Sequence, residues 1–146
     1  MADLANNRKA RFNYHILEKI EAGISLVGTE VKSCRDHQVS IAEGFIDIHN
    51  GEAFLVGVHI ATYEQGNRNN HEPMRRRKLL LHKKEITKLK VAVDAKGMSI
   101  VPLNMYLKQG KIKVGIGLAK GKDANDKRDT VKARQDNIDI SRAMKR

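Results

Sequence analysis

The stretch FIDIHNGEAFLVGVHI, residues 45–60, decides the fold. Asn50-Gly51 is a pair favoured in the two-residue type I′ turn of a β-hairpin. The flanking segments, Phe45–His49 and Glu52–Ile60, are rich in the branched and aromatic residues that strands prefer. The sequence therefore predicts an antiparallel hairpin here.

A second hairpin is predicted nearer the carboxyl end, with Gln109-Gly110 at its turn. Its arms are SIVPLNMYLK, Ser99–Lys108, and KIKVGIGLAK, Lys111–Lys120. Apolar residues occupy every second position from Ile112 to Leu118, which predicts a strand with one buried face. Pro102 has no N–H to donate, so its strand should begin there, bulge there or lie at an edge.

The remaining segments predict mainly extended structure with two helices. Tyr14–Gly28 should form extended segments bent around Ala22-Gly23. Thr29 can cap a helix that runs to His37 with Val31 and Cys34 facing inward, although a strand is the alternative there. The residues KKEITKLKVAVDAKG, 83–97, favour a helix terminated by a glycine. Short strands with glycines at the bends indicate a small closed antiparallel barrel.

Charge is distributed unevenly along the 146 residues. Residues 1–67 hold six Lys/Arg and nine Asp/Glu, whereas residues 68–146 hold 22 and eight, a net +14. Such a basic half indicates a polyanionic partner, above all RNA. A membrane partner is not expected because no apolar run approaches about 20 residues. The amino terminus has no hydrophobic signal region, and a single cysteine allows no internal disulfide, so a cytoplasmic location is expected.

The last 28 residues, 119–146, carry nine Lys/Arg and five Asp/Glu but few large apolar side chains. This composition predicts a segment that is disordered alone, because little burial offsets the ordering entropy. Opposite charges three or four residues apart, such as Asp129/Lys132 and Lys132/Asp136, nevertheless support a helix. A tail of this kind is suited to folding on RNA.

No enzymatic or metal site is predicted. The six histidines show none of the spacings typical of zinc ligands, and GIGLAKGK fails the phosphate-loop pattern. Cys34 is expected in the core rather than as a nucleophile. The run MRRRKLLLHKKE, 74–85, which includes Lys83, favours contacts with RNA phosphates over the alternative of a solvated charge run.

Several motifs in this order and spacing resemble the SsrA-binding protein family, also called small protein B. They are NRKARFNY at 7–14, EAGISLVGTEVKSCR at 21–35, HNGEAFL at 49–55, RRKLLLHKKEI at 76–86, VPLNMY at 101–106 and GLAKGKDANDKRD at 117–129. The likeness spans almost the whole chain. It implies a closed barrel of the oligonucleotide-binding type with about three flanking helices and a disordered basic tail.

The resemblance also implies a division of the chain and a function. Residues 1–10 would be a flexible arm, 11–120 the RNA-binding barrel, and 121–146 a tail that becomes helical on the ribosome. The barrel would bind the tRNA-like domain of transfer-messenger RNA, and the tail would enter the empty mRNA channel near the decoding centre of a stalled ribosome. Trans-translation would follow, without catalysis, cofactor or small-molecule substrate.

Family roles map onto individual residues of this chain. Glu21, Leu80 and His82 match positions that bind the tRNA-like domain, while Leu80 has barrel packing as a parallel role. Further matches are the basic patch Asn7, Arg8 and Arg11, the signature residues Glu30 and Lys32, and the tail residues Gly121, Lys122, Asn125, Asp126, Lys127 and Arg128, with Lys132 and Arg134 as further cations of the tail. Asn125 stands where the family often has His or Tyr, which removes a stacking face. A ribosomal protein or general RNA chaperone is the alternative function.

Overall fold

The computed structural model describes residues 3–63 and 70–122. Nine strands and three helices occur in these ranges. They are β1 (Asp3–Asn6), α1 (Arg8–Asn13), β2 (Tyr14–Ile24), α2 (Gly28–Arg35), β3 (Val39–Ser40), β4 (Phe45–His49), β5 (Glu52–Val56), β6 (His59–Ile60), β7 (Arg77–Leu80), α3 (Lys83–Lys96), β8 (Ser99–Lys108) and β9 (Lys111–Gly121).

The first hairpin is confirmed, although its second arm is shorter than predicted. His49 pairs with Glu52, and Asn50 and Gly51 have the positive φ angles, 52° and 75°, of a type I′ turn. The predicted strand to Ile60 is wrong beyond Val56. Gly57 breaks it at φ 75°, where an added Cβ would lie 2.7 Å from the carbonyl oxygen of Glu43. The chain then enters β6, which pairs with β3 in a separate two-stranded sheet.

The second hairpin is also confirmed. β8 and β9 pair along their length, and Gln109 and Gly110 have φ angles of 53° and 76° at the turn. The register shifts between Pro102 and Asn104, so the proline marks a bulge. The alternating apolar residues of β9, from Ile112 to Leu118, are buried as their period predicts.

The main sheet has seven antiparallel strands in the order β1-β8-β9-β2-β7-β5-β4. β2 is one continuous strand rather than two segments bent at Ala22-Gly23, and at Gly23 its pairing passes from β9 to β7. The fold is thus mainly β and antiparallel. Within the described ranges no hydrogen-bonded pair joins β1 to β4, so the strands are not found as a closed barrel. The core fills its inner face, with fully buried residues such as Leu55, Leu79, Leu89, Met105 and Val114.

Both predicted helices are found, and the strand alternative for residues 29–37 is wrong. The amino-terminal cap of α2 is Val27 rather than Thr29, and its N–H donates to Glu30 Oε1 at 3.0 Å. Cys34 of α2 is fully buried. At α3, the His82 N–H donates to Glu85 Oε1 at 3.1 Å, and Gly97 ends the helix in the left-handed conformation that glycine tolerates.

The family resemblance implied a flexible arm over residues 1–10, whereas Asp3–Asn6 form β1 at the edge of the sheet and residues 8–10 begin α1. β1 pairs with β8, and the following Asn7 is buried. The Asn7 side chain accepts from Ala10 N at 3.0 Å and donates to Pro102 O at 2.8 Å, so it caps α1 and ties it to β8. These long-range bonds, invisible to local sequence patterns, order the segment.

Candidate nucleic-acid interface

The outer surface of β8, β9, β2 and β7 carries polar and charged side chains in two neighbouring rows. Cross-strand pairing aligns one row as Tyr106, Lys113, Gly23 and Leu80, and the other as Asn104, Gly115 and Glu21. Because paired residues share a face, these side chains project together away from the core. We call this surface, defined by Glu21, Leu80, Tyr106, Lys108 and Lys113, the outer face.

Glu21 is the centre of a hydrogen-bond network on the outer face. The Tyr106 hydroxyl donates to Glu21 Oε2 at 2.5 Å, and the Lys108 ammonium lies 3.3 Å from both carboxylate oxygens. The bond from Tyr106 holds the pKa of Glu21 below its ordinary value despite partial desolvation, and Lys108 adds to the effect. Burial and the bond to Glu21 raise the pKa of Tyr106 to about 12. Glu21 is therefore an ionised acceptor at neutral pH.

A shallow depression of about 340 Å³ lies beside Glu21. Arg11 and Lys19 line it together with Asn104 and Tyr106. The structure thus brings Arg11, predicted as part of an amino-terminal basic patch, next to Glu21 on the same surface. Arg8 is also exposed, in the first turn of α1. In this arrangement the cations can bind phosphates around the rim of the depression, and the carboxylate of Glu21 can accept a hydrogen bond from a donor at its centre.

Leu80 and His82 extend the outer face toward α3. The Leu80 side chain is 57% exposed, so it does not serve as core packing. A second depression of about 580 Å³ is lined by Leu80, His82 and Lys83 with the turn at Asn50-Gly51. His82 and Lys83 are both exposed there. An exposed leucine beside cations offers apolar contact for a base or ribose.

The basic run 74–85 splits into exposed and buried members. Arg76 lies over the Phe54 ring, 4.4 Å from its centroid, and bridges to Asp47 at 2.5 Å. Lys78 lies 3.4 Å from Glu52. Both cations are partly neutralised by neighbours, so their attraction for phosphate is weaker than the sequence run suggested.

Arg77 and Glu30, one from the predicted basic run and one a predicted RNA contact, are both fully buried and form an ion pair. Arg77 Nε donates to Glu30 Oε2 at 2.6 Å, and its other nitrogens donate to the carbonyl oxygens of Val58 and Pro73. Arg75 donates to Glu30 Oε1 at 2.6 Å. Burial opposes ionisation, but bonds from Arg75, Val27 and Arg77 hold the pKa of Glu30 below its ordinary value. This pair connects α2 to β7 and does not reach the outer face.

The other predicted site residues lie elsewhere. Asn7 is buried between α1 and β8, where its side chain caps α1, so it does not present its amide on the surface. Lys32 is exposed on α2, with its ammonium 5.3 Å from the centre of the Tyr63 ring. Gly121 ends β9 opposite Tyr14, and the Lys122 N–H donates to Asn13 O at 2.8 Å. The tail residues Asn125, Asp126, Lys127, Arg128, Lys132 and Arg134 lie outside the described residues.

Other chemistry has little support in the described part of the chain. Burial raises the pKa of the Cys34 thiol to about 12, which suits a core residue and not a nucleophile. Residues 3–63 and 70–122 hold no group of three or more metal-ligating side chains. None of the described helices is both long and apolar enough to cross a membrane.

Sequence reasoning missed Tyr106 and Asn104 as parts of the site. A signal was present, because the register set by the Gln109-Gly110 turn places both residues on the face of Lys113 and Gly115.

A mainly antiparallel sheet with an exposed cationic face defines a small β protein of the nucleic-acid-binding class.

Comparison with known proteins identifies the family within that class. The family model described as SmpB protein matches residues 4–146. An SsrA-binding protein of Levilactobacillus brevis is 56% identical over 142 residues, which cover 97% of this chain and 90% of that protein. One of Gloeothece citriformis is 56% identical over 98% of this chain and 93% of its own. The chain therefore belongs to the SmpB family, which confirms the resemblance found in its sequence.

A solved structure shares this fold. It is described as "tmRNA-SmpB: a journey to the center of the bacterial ribosome". The match has a TM-score of 0.69 at 46% identity and covers 86% of this chain and 92% of that one. The agreement supports the mainly β, antiparallel fold.

Proposed function

We propose that this protein binds the tRNA-like domain of transfer-messenger RNA and delivers it to stalled ribosomes for trans-translation. The observation that carries the proposal is the family match over residues 4–146, with relatives named for binding SsrA. The structural neighbour, described as tmRNA-SmpB in the bacterial ribosome, supports the same partners. The protein acts in the cytoplasm, where these partners work, and catalyses no reaction.

The outer face is the surface that meets the RNA. Lys113, Lys19 and Arg11 neutralise backbone phosphates, while Glu21 repels them and accepts from base amino groups or ribose hydroxyls instead. Leu80 packs against a base or sugar, and His82 and Lys83 extend the contact at the start of α3. Because one carboxylate acceptor lies among the cations, the surface selects between RNAs in a way that positive charge alone does not provide.

The sheet is the framework of an oligonucleotide-binding-type barrel. Support comes from the contact of β4, one end of the sheet, with β8, the strand next to the other end. A Cβ on Gly44, just before β4, would lie 3.0 Å from Pro102 Cγ and 2.7 Å from a Val58 methyl. Small side chains at such points allow sheet ends to close on each other.

The tail acts on the ribosome rather than on transfer-messenger RNA alone. Residues 121–146 are basic, and we propose that they become helical in the empty mRNA channel, with Gly121, Lys122, Asp126, Lys127 and Arg128 in contact with ribosomal RNA. Lys132 and Arg134 continue the cationic surface. Asn125 contributes a hydrogen bond in place of stacking. Template switching and tagging of the nascent peptide follow.

Competition binding tests the RNA half of this proposal. Labelled tRNA-like domain is bound to the purified protein, and an unlabelled tRNA-like domain, an elongator tRNA and an unrelated hairpin of equal length compete at matched salt. We expect the tRNA-like domain to compete best. Equal competition by all three RNAs would instead favour a general RNA chaperone or ribosomal protein.

Truncation tests the tail half. Ending the chain after Lys122 keeps β9 complete, so binding of the tRNA-like domain should persist while peptide tagging in a reconstituted assay collapses. Changing Lys127 and Arg128 to Glu should reproduce much of this defect, because like charges repel along a wall of RNA. Normal tagging by the truncated protein would refute the role of the tail.

A further inference from the structure

Tyr106 reaches Glu21 across an intervening strand. Tyr106 belongs to β8 and Glu21 to β2, and β9 lies between them in the sheet. The tyrosine hydroxyl nevertheless donates to Glu21 Oε2 at 2.5 Å. Neighbouring strands in a sheet lie about 4.8 Å apart, so this contact spans about twice that distance and needs a low surface on β9.

Gly115 supplies that low surface. It pairs with Asn104 on one side and Glu21 on the other. A Cβ at Gly115 would lie 2.2 Å from Asn104 Oδ1 and 3.8 Å from the Tyr106 ring. A Cβ here would clash with Asn104 and touch the Tyr106 ring at van der Waals distance. Glycine therefore keeps the surface of β9 low where Tyr106 crosses it, and a larger side chain would occupy that path.

Glu21 requires such a contact if it is to select RNA. A carboxylate among cations repels phosphate and gains only by accepting hydrogen bonds from base amino groups or 2′-hydroxyls, which demand a defined direction. An unrestrained glutamate would lose rotamer freedom on binding. The Tyr106 bond is much shorter than the 3.3 Å contact from Lys108, so the tyrosine sets the direction.

We propose that Tyr106 is a positioning residue for RNA recognition. This inference rests on the proposed function. Its hydroxyl holds one oxygen of Glu21 and aims the other at hydrogen-bond donors of the bound RNA. Neither the family match nor the sequence pattern assigns this role to Tyr106.

The test is a double-mutant cycle on affinity for the tRNA-like domain. Tyr106→Phe keeps the ring and removes only the hydroxyl, so we expect affinity to fall about three- to tenfold, the effect of ordering one side chain on binding. In the Glu21→Ala background the same change should have no effect, because no carboxylate remains to be aimed. Tyr14→Phe is the matched control, since Tyr14 lines a different depression beside α1.

A second readout separates positioning from a structural role. The carboxyl carbon of Glu21 is titrated by NMR, where Tyr106→Phe should raise the Glu21 pKa while Lys108 and Lys113 still lower it. Thermal unfolding should stay close to that of the natural protein. Unchanged affinity for the tRNA-like domain, or an equal loss in both backgrounds, would overturn the role of Tyr106 while leaving the function intact. A natural protein with no preference for this RNA would overturn both.

Discussion

Two carboxylates with similar partners lie in different surroundings in this protein. Glu30 and Glu21 each accept hydrogen bonds from cationic and neutral donors, and each has a lowered pKa. The Glu30 side chain is 0% exposed, whereas that of Glu21 is 38% exposed. All the acceptor capacity of Glu30 is used inside the fold, while Glu21 keeps room for a ligand. Exposure, more than partners, therefore separates the structural carboxylate Glu30 from Glu21, the carboxylate proposed to recognise RNA.

The largest expected effect is on stability, from Glu30→Ala. Removing one member of a buried ion pair leaves the Arg77 charge without its partner, which typically costs about 3–5 kcal/mol. Urea unfolding followed by circular dichroism measures the loss. Glu21→Ala is the control and should leave the midpoint close to that of the natural protein. Equal shifts for the two variants would remove the distinction between these sites.

The next effect is on RNA binding, from Glu21→Ala. Loss of a charge-assisted hydrogen bond should weaken affinity for the tRNA-like domain about tenfold. A purely electrostatic surface predicts the opposite result, because removing a negative charge strengthens attraction to RNA. Fluorescence anisotropy at fixed salt decides between them. His82→Ala, on the same surface, should also weaken binding without loss of the fold.

Acid titration gives a smaller effect that also distinguishes the sites. The pKa of Glu30 in the folded protein lies below its ordinary value of 4.5, so its contribution to stability is complete above that pH. The contribution is lost as pH falls through the lowered folded pKa. Urea midpoints measured at neutral pH and below pH 4.5 should decline more in the natural protein than in Glu30→Gln, which cannot titrate. Parallel declines would show that Glu30 does not control acid stability.

The smallest effect is on the salt dependence of binding, from Lys83→Ala. An exposed cation that neutralises one phosphate contributes about 0.7–0.9 to the slope of log affinity against log salt. The slope should therefore decrease by about that amount, with a modest loss of affinity for every RNA. Glu21→Ala should lower affinity at unchanged slope. A Lys83→Ala slope identical to that of the natural protein would place this lysine outside the contact.

Local sequence signals predicted the parts of the fold that local physics controls. Both hairpin turns and the end of α3 at Gly97 depend on the φ angles of a few neighbouring residues. At Pro102 the sequence left a strand start, a bulge or an edge position open, and the structure shows a bulge. The end of β5 at Gly57 was not predicted, since it depends on the approach of Glu43 from another segment. The candidate site divides in the same way. Glu21, Leu80 and His82 were assigned from family motifs, while the contribution of Tyr106 emerged only from cross-strand register.

The sequence by itself determined the antiparallel hairpins, the uneven charge and the SmpB family, because turns and motifs are written in short runs of residues. Only the tertiary structure decided which charged residues serve packing and which face solvent. Arg76 and Arg77 are adjacent in sequence, yet strand alternation exposes one and buries the other against Glu30, 47 residues away. Burial is a property of contacts between distant segments, and a strand reverses it from one residue to the next.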